Sequence, residues 1–214
     1  MTPSPPPLSL ETLLALVAFA AATSWSPGPN NFMLASSGAT FGLRRTVPHI
    51  LGVVLGFPVM IFILTLGLGE VFRTQPSVQN AISWVGFAVM LGLALRMALA
   101  AAGRSEAAAA ARKPLSFLAV AAFQWVNPKA WAMAIAAAAS FASGLTPLRD
   151  AVVIALVFML VGGTSASTWA AVGTGLGRML GTGWRLRAFN LAMASLLALS
   201  AVALLMTGSG ERVS

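Results

Sequence analysis

Cysteine and tyrosine are absent from this 214-residue chain, histidine occurs once, and aspartate and glutamate together number five. Without cysteine there is no disulfide, no thiolate metal site and no cysteine nucleophile. One histidine and five acids leave almost no material for a zinc site or a catalytic triad. Charged residues make up only 8% of the chain, against about 25% in a typical soluble domain, so an aqueous surface cannot be covered. What fills the space instead is apolar: 58% of residues are hydrophobic and the mean hydropathy is +0.86. The bilayer is therefore the solvent, and backbone polar groups there must be paired within helices or a closed barrel. A barrel demands short segments of strict apolar/polar alternation. The chain carries long Ala/Leu/Val/Gly runs, which predict an all-α polytopic membrane protein.

About 20 apolar residues make one span. The candidates are Leu10–Ala39 (interrupted), Val47–Gly69, Val78–Ala100, Leu115–Ala142 (interrupted), Ala151–Val172 and Leu186–Thr207. The segment Gly103–Pro114 reads as the main polar loop. The opening MTPSPPPLSL lacks the positive flank of a signal peptide, so the first run is expected to be a retained span preceded by extended prolines. The net charge of +8 comes from basic residues lying between apolar runs, as expected for loop charges that set orientation rather than for nucleic-acid binding. Loop one has Arg44 and Arg45, loop three Arg104, Arg112 and Lys113, and loop five Arg178 and Arg185. Loops two and four have only Arg73 and Arg149. Positive-inside logic puts loops one, three and five in the cytoplasm and both termini outside.

Six spans divide the single transmembrane domain, residues 1–214, into two halves of three, approximately 8–100 and 115–207. An odd number per half makes the halves opposite in orientation. Span one is broken at Ser26-Pro27-Gly28-Pro29-Asn30-Asn31, and span four at Trp125-Val126-Asn127-Pro128-Lys129. Interrupted helices at matching places in inverted halves are the best sequence pointer to a transport site near the midplane.

The breaks have a defined chemistry. In a continuous helix the N–H groups of residues 27, 29 and 128 would bond the carbonyls of Thr23, Trp25 and Gln124, and proline has none to give. Gly28 adds freedom to bend. Each break thus offers bare carbonyls before it and free N–H groups after it. An amino acid's carboxylate suits the N-terminal end of a half-helix, and its ammonium suits the carbonyls. Asn30, Asn31 and Asn127 add neutral donors and acceptors. A small zwitterionic solute is the expected partner, besides lipid; no cofactor, metal or nucleic acid is called for, and a homodimer is compatible with the sequence. Lys129 is the only lysine inside an expected span, where a charge costs about 2.5–3.5 kcal/mol. It reads as a carboxylate partner or gating charge, with snorkelling to the interface as the alternative. Gln124, one turn before Pro128, completes the candidate set.

Other polar residues read more plainly. Glu70 and Arg73 suit a solvated interface pair, Arg96 snorkelling, and His49 a loop edge. Thr164, Ser165, Ser167 and Thr168 form a patch whose hydroxyls could simply bond their own helix. Asn190 suits interhelical glue. Gly52 with Gly56, and Gly173 with Gly177, have the spacing of close helix contacts.

The stretch from Ser26 through Ser37, with Phe41-Gly42-Leu43-Arg44-Arg45, Gly52–Phe57 and Gln124-Trp125-Val126-Asn127-Pro128-Lys129-Ala130-Trp131, resembles the lysine exporter (LysE/RhtB) family. That family's PGP motif stands at Pro27–Pro29 and its NPK motif at Asn127–Lys129, about a hundred residues apart. Trp184–Asn190 also fits. Where many members carry Asp after PGP this chain has Asn30, and with the Ser36-Ser37 pair it is most similar to the cysteine and O-acetylserine exporter branch. The acid that could carry a proton there is missing, as is the family's tyrosine in span three, where Val85–Met90 stands. The resemblance implies export of amino acids or small derivatives across a bacterial inner membrane, driven by the proton motive force, and no enzymatic activity. A channel-like facilitator or a non-transporting membrane subunit are the alternatives that the residues alone leave open. Reporter tags at each terminus, tested for protease access in intact cells, should both be cleaved from outside; a cytoplasmic C-terminus contradicts the orientation.

Overall fold

A computed structural model describes residues 9–68, 75–102 and 113–210, with the side chains of 68, 76, 79, 102 and 204–210 left aside. The expected Glu70–Arg73 pair, the loop residues Arg104, Glu106 and Arg112, and the first eight residues lie outside the described residues. Every described regular element is helical. We label them α1 (Leu10–Trp25), α2 (Pro29–Phe41), α3 (Leu43–Ile63), α4 (Pro76–Ala102), α5 (Phe117–Gln124), α6 (Pro128–Phe141), α7 (Pro147–Leu180) and α8 (Trp184–Gly210). A π-helical turn, Leu64–Leu68, ends α3 at Gly67, whose φ of 131° is open to glycine alone.

Each helix starts where the sequence supplies a start. Ser9 and Ser116 cap α1 and α5 by accepting from the N–H groups of Thr12 and Ala119. Pro29, Pro128 and Pro147 stand in the first turns of α2, α6 and α7, where a missing N–H is harmless. Asp150 is buried and fixes the α6–α7 turn, accepting from Ser143 N at 2.8 Å, Ser143 Oγ at 2.7 Å and Thr146 Oγ1 at 3.1 Å.

Among the described residues, four single helices are long and apolar enough to cross a membrane: Leu43–Gly67, Asn80–Ala101, Pro147–Leu180 and Trp184–Ala203. The pair α1 and α2, bent by 58°, makes a fifth if it is one span. The protein is a polytopic helical membrane protein. The fourth expected span falls on α5, 8 residues, and α6, 14 residues, each too short to cross alone, and that pair is not among the four or five candidate spans. The fifth overruns its expected limits at both ends. At 34 residues α7 is about 50 Å long, because Gly173 and Gly177 lie within it rather than at its end.

Those glycines decide how α7 packs. A methyl group at Gly173 would overlap the Ala35 carbonyl, one at Gly177 the Ala39 carbonyl, and one at Gly38 the Ala170 carbonyl. Backbones of α2 and α7 therefore touch directly, as small residues permit in membranes. Gly52 and Gly56 do the same for α3 against Val120 and Ala121 of α5. Three apolar clusters surround these contacts. Leu16, Ala20, Phe57, Met60, Trp131, Ala134 and Phe158 gather α1, α3, α6 and α7. Met33, Met90, Phe123 and Leu197 join α2, α4, α5 and α8. Leu34, Ile50, Ala166 and Ala170 lie between α2, α3 and α7. Asn190 ties α8 to α2, accepting from Ser36 Oγ at 2.8 Å and donating to Thr40 Oγ1 at 2.9 Å, as expected of interhelical glue.

Gly38→Val and Gly173→Val should each lower stability by about 1–3 kcal/mol through overpacking. Gly92→Val, at a site with nothing near the added carbon, serves as the control. Thermal unfolding followed by size-exclusion chromatography reads the difference; equal melting of all three would refute the direct backbone contact.

Candidate functional site

The two breaks meet. Lys129, in the first turn of α6, reaches across to the end of α1, where its Nζ donates to Ser26 O at 2.7 Å, Ser26 Oγ at 2.8 Å and Pro27 O at 3.2 Å. Three oxygens take the three protons of the ammonium. The lysine thus turns into the break. Its aliphatic end lies over Gly28, where an added Cβ would stand 2.7 Å from Lys129 Cδ and 3.0 Å from Nζ. Among the described residues no carboxylate pairs with it. The counter-charge is the negative end of α1.

The remaining candidates divide between scaffold and cavity wall. Asn31 donates through Nδ2 to Ser24 O at 2.9 Å and Ser26 O at 2.8 Å, tying α2 back to the last carbonyls of α1. Asn127, 1% exposed, caps α6 by accepting from Lys129 N at 3.1 Å. Gln124, fully buried, and Asn30 exchange two amide bonds: Asn30 Nδ2 to Gln124 Oε1 at 2.9 Å, and Gln124 Nε2 to Asn30 Oδ1 at 3.2 Å. Gln124 Nε2 also donates to Val120 O at 2.9 Å. Pro29 and Pro128 serve as first-turn residues of the two half-helices.

Several of the bare carbonyls expected at the breaks are in fact filled. Thr23 O accepts from Ser26 Oγ at 2.8 Å, and Gln124 O from Asn127 N at 3.2 Å. Trp131 Nε1 donates to Trp125 O at 2.8 Å. The expectation of open carbonyls awaiting a solute ammonium is thus corrected for Thr23 and Gln124, two of the three carbonyls expected: in a low-dielectric setting an unpaired carbonyl is costly, and there the chain supplies its own donors. The N-terminus of α2, in contrast, carries no side-chain cap.

A cavity open at its mouth lies between the breaks. Gly28, Asn30, Asn31, Asn127 and Lys129 line it; Pro27, Pro29, Gln124 and Pro128 do not. The other walls include residues that sequence reasoning missed, Thr23 and Ser24 of α1, Val53, Val54 and Phe57 of α3, Met133 of α6, and Phe158 and Gly162 of α7, together with Ser165 of the hydroxyl patch. One sign was available. Pro58 lies inside α3 and has no N–H for the carbonyl of Val54, one turn earlier. Ser165 alone of the α7 hydroxyl patch reaches the site, donating to Ser24 O at 2.8 Å. Thr164 bonds its own helix at Val161 O, 2.7 Å.

The cavity holds one fixed cation, no acid, an uncapped helix N-terminus, amide and hydroxyl groups, and an aromatic floor in which Phe57 and Phe158 meet edge to face at 5.4 Å. The cation and helix end suit a carboxylate, and the neutral oxygens suit an ammonium. His49 is not at a loop edge. It lies inside α3 at 1% exposure and faces a different cavity.

The profile of the LysE type translocator family matches residues 21–208. The cysteine/O-acetylserine efflux protein of Escherichia coli (strain K12) is 29% identical over 153 residues, which is 71% of this chain and 76% of that protein. Its counterpart in Salmonella typhimurium (strain LT2) is likewise 29% identical over the same shares. No solved structure matches the chain.

Replacing Asn30 by Ala should cost about 1–3 kcal/mol, because Gln124 Oε1 is left buried without a donor. The double variant Asn30→Ala/Gln124→Leu should recover most of that stability, since both partners of the bond are then apolar. Thermal unfolding of the three proteins checks this; a double variant no more stable than Asn30→Ala would mean the amide pair is not the structural bond described.

Proposed function

This chain belongs to the LysE type translocator family, a transporter of amino acids rather than an enzyme, and from that premise we propose that it is a proton-motive-force-driven exporter of small zwitterions with uncharged side chains, cysteine and O-acetylserine being the first to test. The observation that carries the reading is the junction of the two breaks, where Lys129 joins α6 to the end of α1 and borders a cavity without acids.

The solute's carboxylate sits between Lys129 and the N-terminus of α2. To bind there it competes with the Ser26 and Pro27 oxygens for the ammonium. Binding therefore weakens the bond between the first and second halves of the chain. In an inverted pair of three-span halves, six spans in all, that is the bond whose loss lets one half rock against the other. Both termini face outward, and the loops with Arg44, Arg45 and Lys113 face the cytoplasm, so solute is taken from inside the bacterial inner membrane and released outside. Asn30 in place of an acid keeps the cavity free of negative charge, which disfavours solutes with a second cation.

Purified protein in liposomes should move labelled cysteine or O-acetylserine in a saturable manner that responds to an imposed pH gradient. Lysine should move poorly. Lys129→Met should reduce flux at least about tenfold, the scale of one lost hydrogen bond to a charged group, with insertion unchanged. Flux insensitive to the gradient and linear in concentration points to a passive facilitator, and full activity of Lys129→Met removes the lysine from the site.

A further inference from the structure

A second cavity lies between α2, α3, α4 and α8. It shares α2 with the first: Asn30 and Asn31 line one, and Ser36 and Thr40 the other. With 1.5 Å of rise per residue the two stand about 10 Å apart along that helix. Met33, a wall of the second cavity, packs with buried Phe123 in one apolar cluster.

His49 gives this cavity its character. The imidazole lines it, is 1% exposed, and neither Nδ1 nor Nε2 has a hydrogen-bond partner. A neutral imidazole has one donor and one acceptor, and leaving both bare in a membrane interior is unfavourable. Two cationic residues also line it, half-buried Arg96 and exposed Lys113. Arg96 Nη2 donates to the Lys113 carbonyl at 2.9 Å, which fixes the guanidinium while using one of its five N–H groups. Among the described residues no carboxylate pairs with either. Along the α2 wall, Ser36 and Thr40 are oriented by Asn190, and their oxygens keep acceptor capacity.

We propose that this cavity is a second solute site, a loading site that holds the same small zwitterion before it reaches the breaks. The carboxylate binds Arg96 and Lys113, and the amine and polar side chain meet His49 and the α2 hydroxyls. The proposal rests on the export reading above, because the charge bias puts Lys113 on the cytoplasmic side, where an exporter collects its cargo. It goes beyond that reading in giving each chain two sites in series and in assigning the single histidine to the first of them.

Equilibrium binding of labelled cysteine, kept reduced, to the full chain in neutral-lipid nanodiscs tests it. The unaltered protein should bind two cysteines per chain. Arg96→Gln and His49→Leu should each bind one, and each should raise the half-saturating concentration for flux from the Lys113 side about tenfold, the scale of one hydrogen bond to a charged group. Lys129→Met should keep the loading site and lose the other. Arg96 is only half-buried, so its variant stands even if the histidine variant folds poorly. Cysteine flux by the unaltered protein bears on export itself. One bound cysteine per chain in a protein that transports it, or two-site binding untouched by both Arg96→Gln and His49→Leu, overturns the loading site and leaves export standing.

Discussion

A lysine ammonium inside an apolar bundle needs negative charge, and this chain has almost no acids to supply it. The structure meets the need with backbone. Ending α1 at Trp25 leaves carbonyls that no helical N–H can reach, and Lys129 takes those of Ser26 and Pro27 together with the Ser26 hydroxyl. The dependence runs both ways. Without the prolines the carbonyls would be paired within the helix. Without the lysine the Pro27 carbonyl would lose its donor in a low dielectric, and Ser26 O would keep only Asn31. Gly28 is required by the same bond, since a side chain there would stand where the lysine passes. Asn127 belongs to it as well, because capping α6 fixes the first turn from which Lys129 extends.

The rest of the fold holds these two short turns at hydrogen-bonding distance. Direct backbone contact of α2 with α7, through Gly38, Gly173 and Gly177, fixes the second half of the first break. Contact of α3 with α5 through Gly52 and Gly56 fixes the first half of the second. Apolar association adds little in lipid, so close approach and interhelical hydrogen bonds carry the positioning. The Asn30–Gln124 amide pair then joins α2 to α5 beside the lysine. Polar groups that seem scattered along the chain thus converge on one junction.

Much of this was legible in the sequence, for physical reasons that can be named. Proline removes a donor wherever it stands, so the helix ends at Trp25 and Gln124 follow from Pro27, Pro29 and Pro128. Glycines four apart permit close approach whatever the partner, so the contact faces were readable while the partners were not. The asparagines were legible as break residues but not as clamps. Whether Asn31 turns toward a solute or toward Ser24 O depends on the 58° bend between α1 and α2, which no local pattern encodes. His49 reads as a loop edge because the apolar run of span two starts at Val47. In fact α3 begins earlier, at Leu43, and runs on through Pro48, which lies inside it and leaves only the Arg44 carbonyl without its helical donor, so the imidazole is carried inside. The hydroxyl patch on α7 split for a rotational reason: Ser165 faces α1, whereas Thr164, one residue away, turns outward.

Charge explains why the junction suits some amino acids better than others under the export reading. A zwitterion entering the central cavity brings one carboxylate for Lys129 and the α2 terminus, and one ammonium for neutral oxygens. It adds no net charge to a space that already holds one cation. A dibasic solute adds a second ammonium with no acid to receive it. Two like charges 4 Å apart at an effective dielectric of 20 repel by about 4 kcal/mol, more than hydroxyl and amide oxygens readily offset. An aspartate at position 30 would reverse that balance, because it would stand on the same cavity wall as Lys129 and pair with either cation. The single exchange of Asp for Asn after the PGP motif therefore does two things at once. It removes a group able to carry a proton within the cavity, and it turns the cavity toward solutes that are neutral overall.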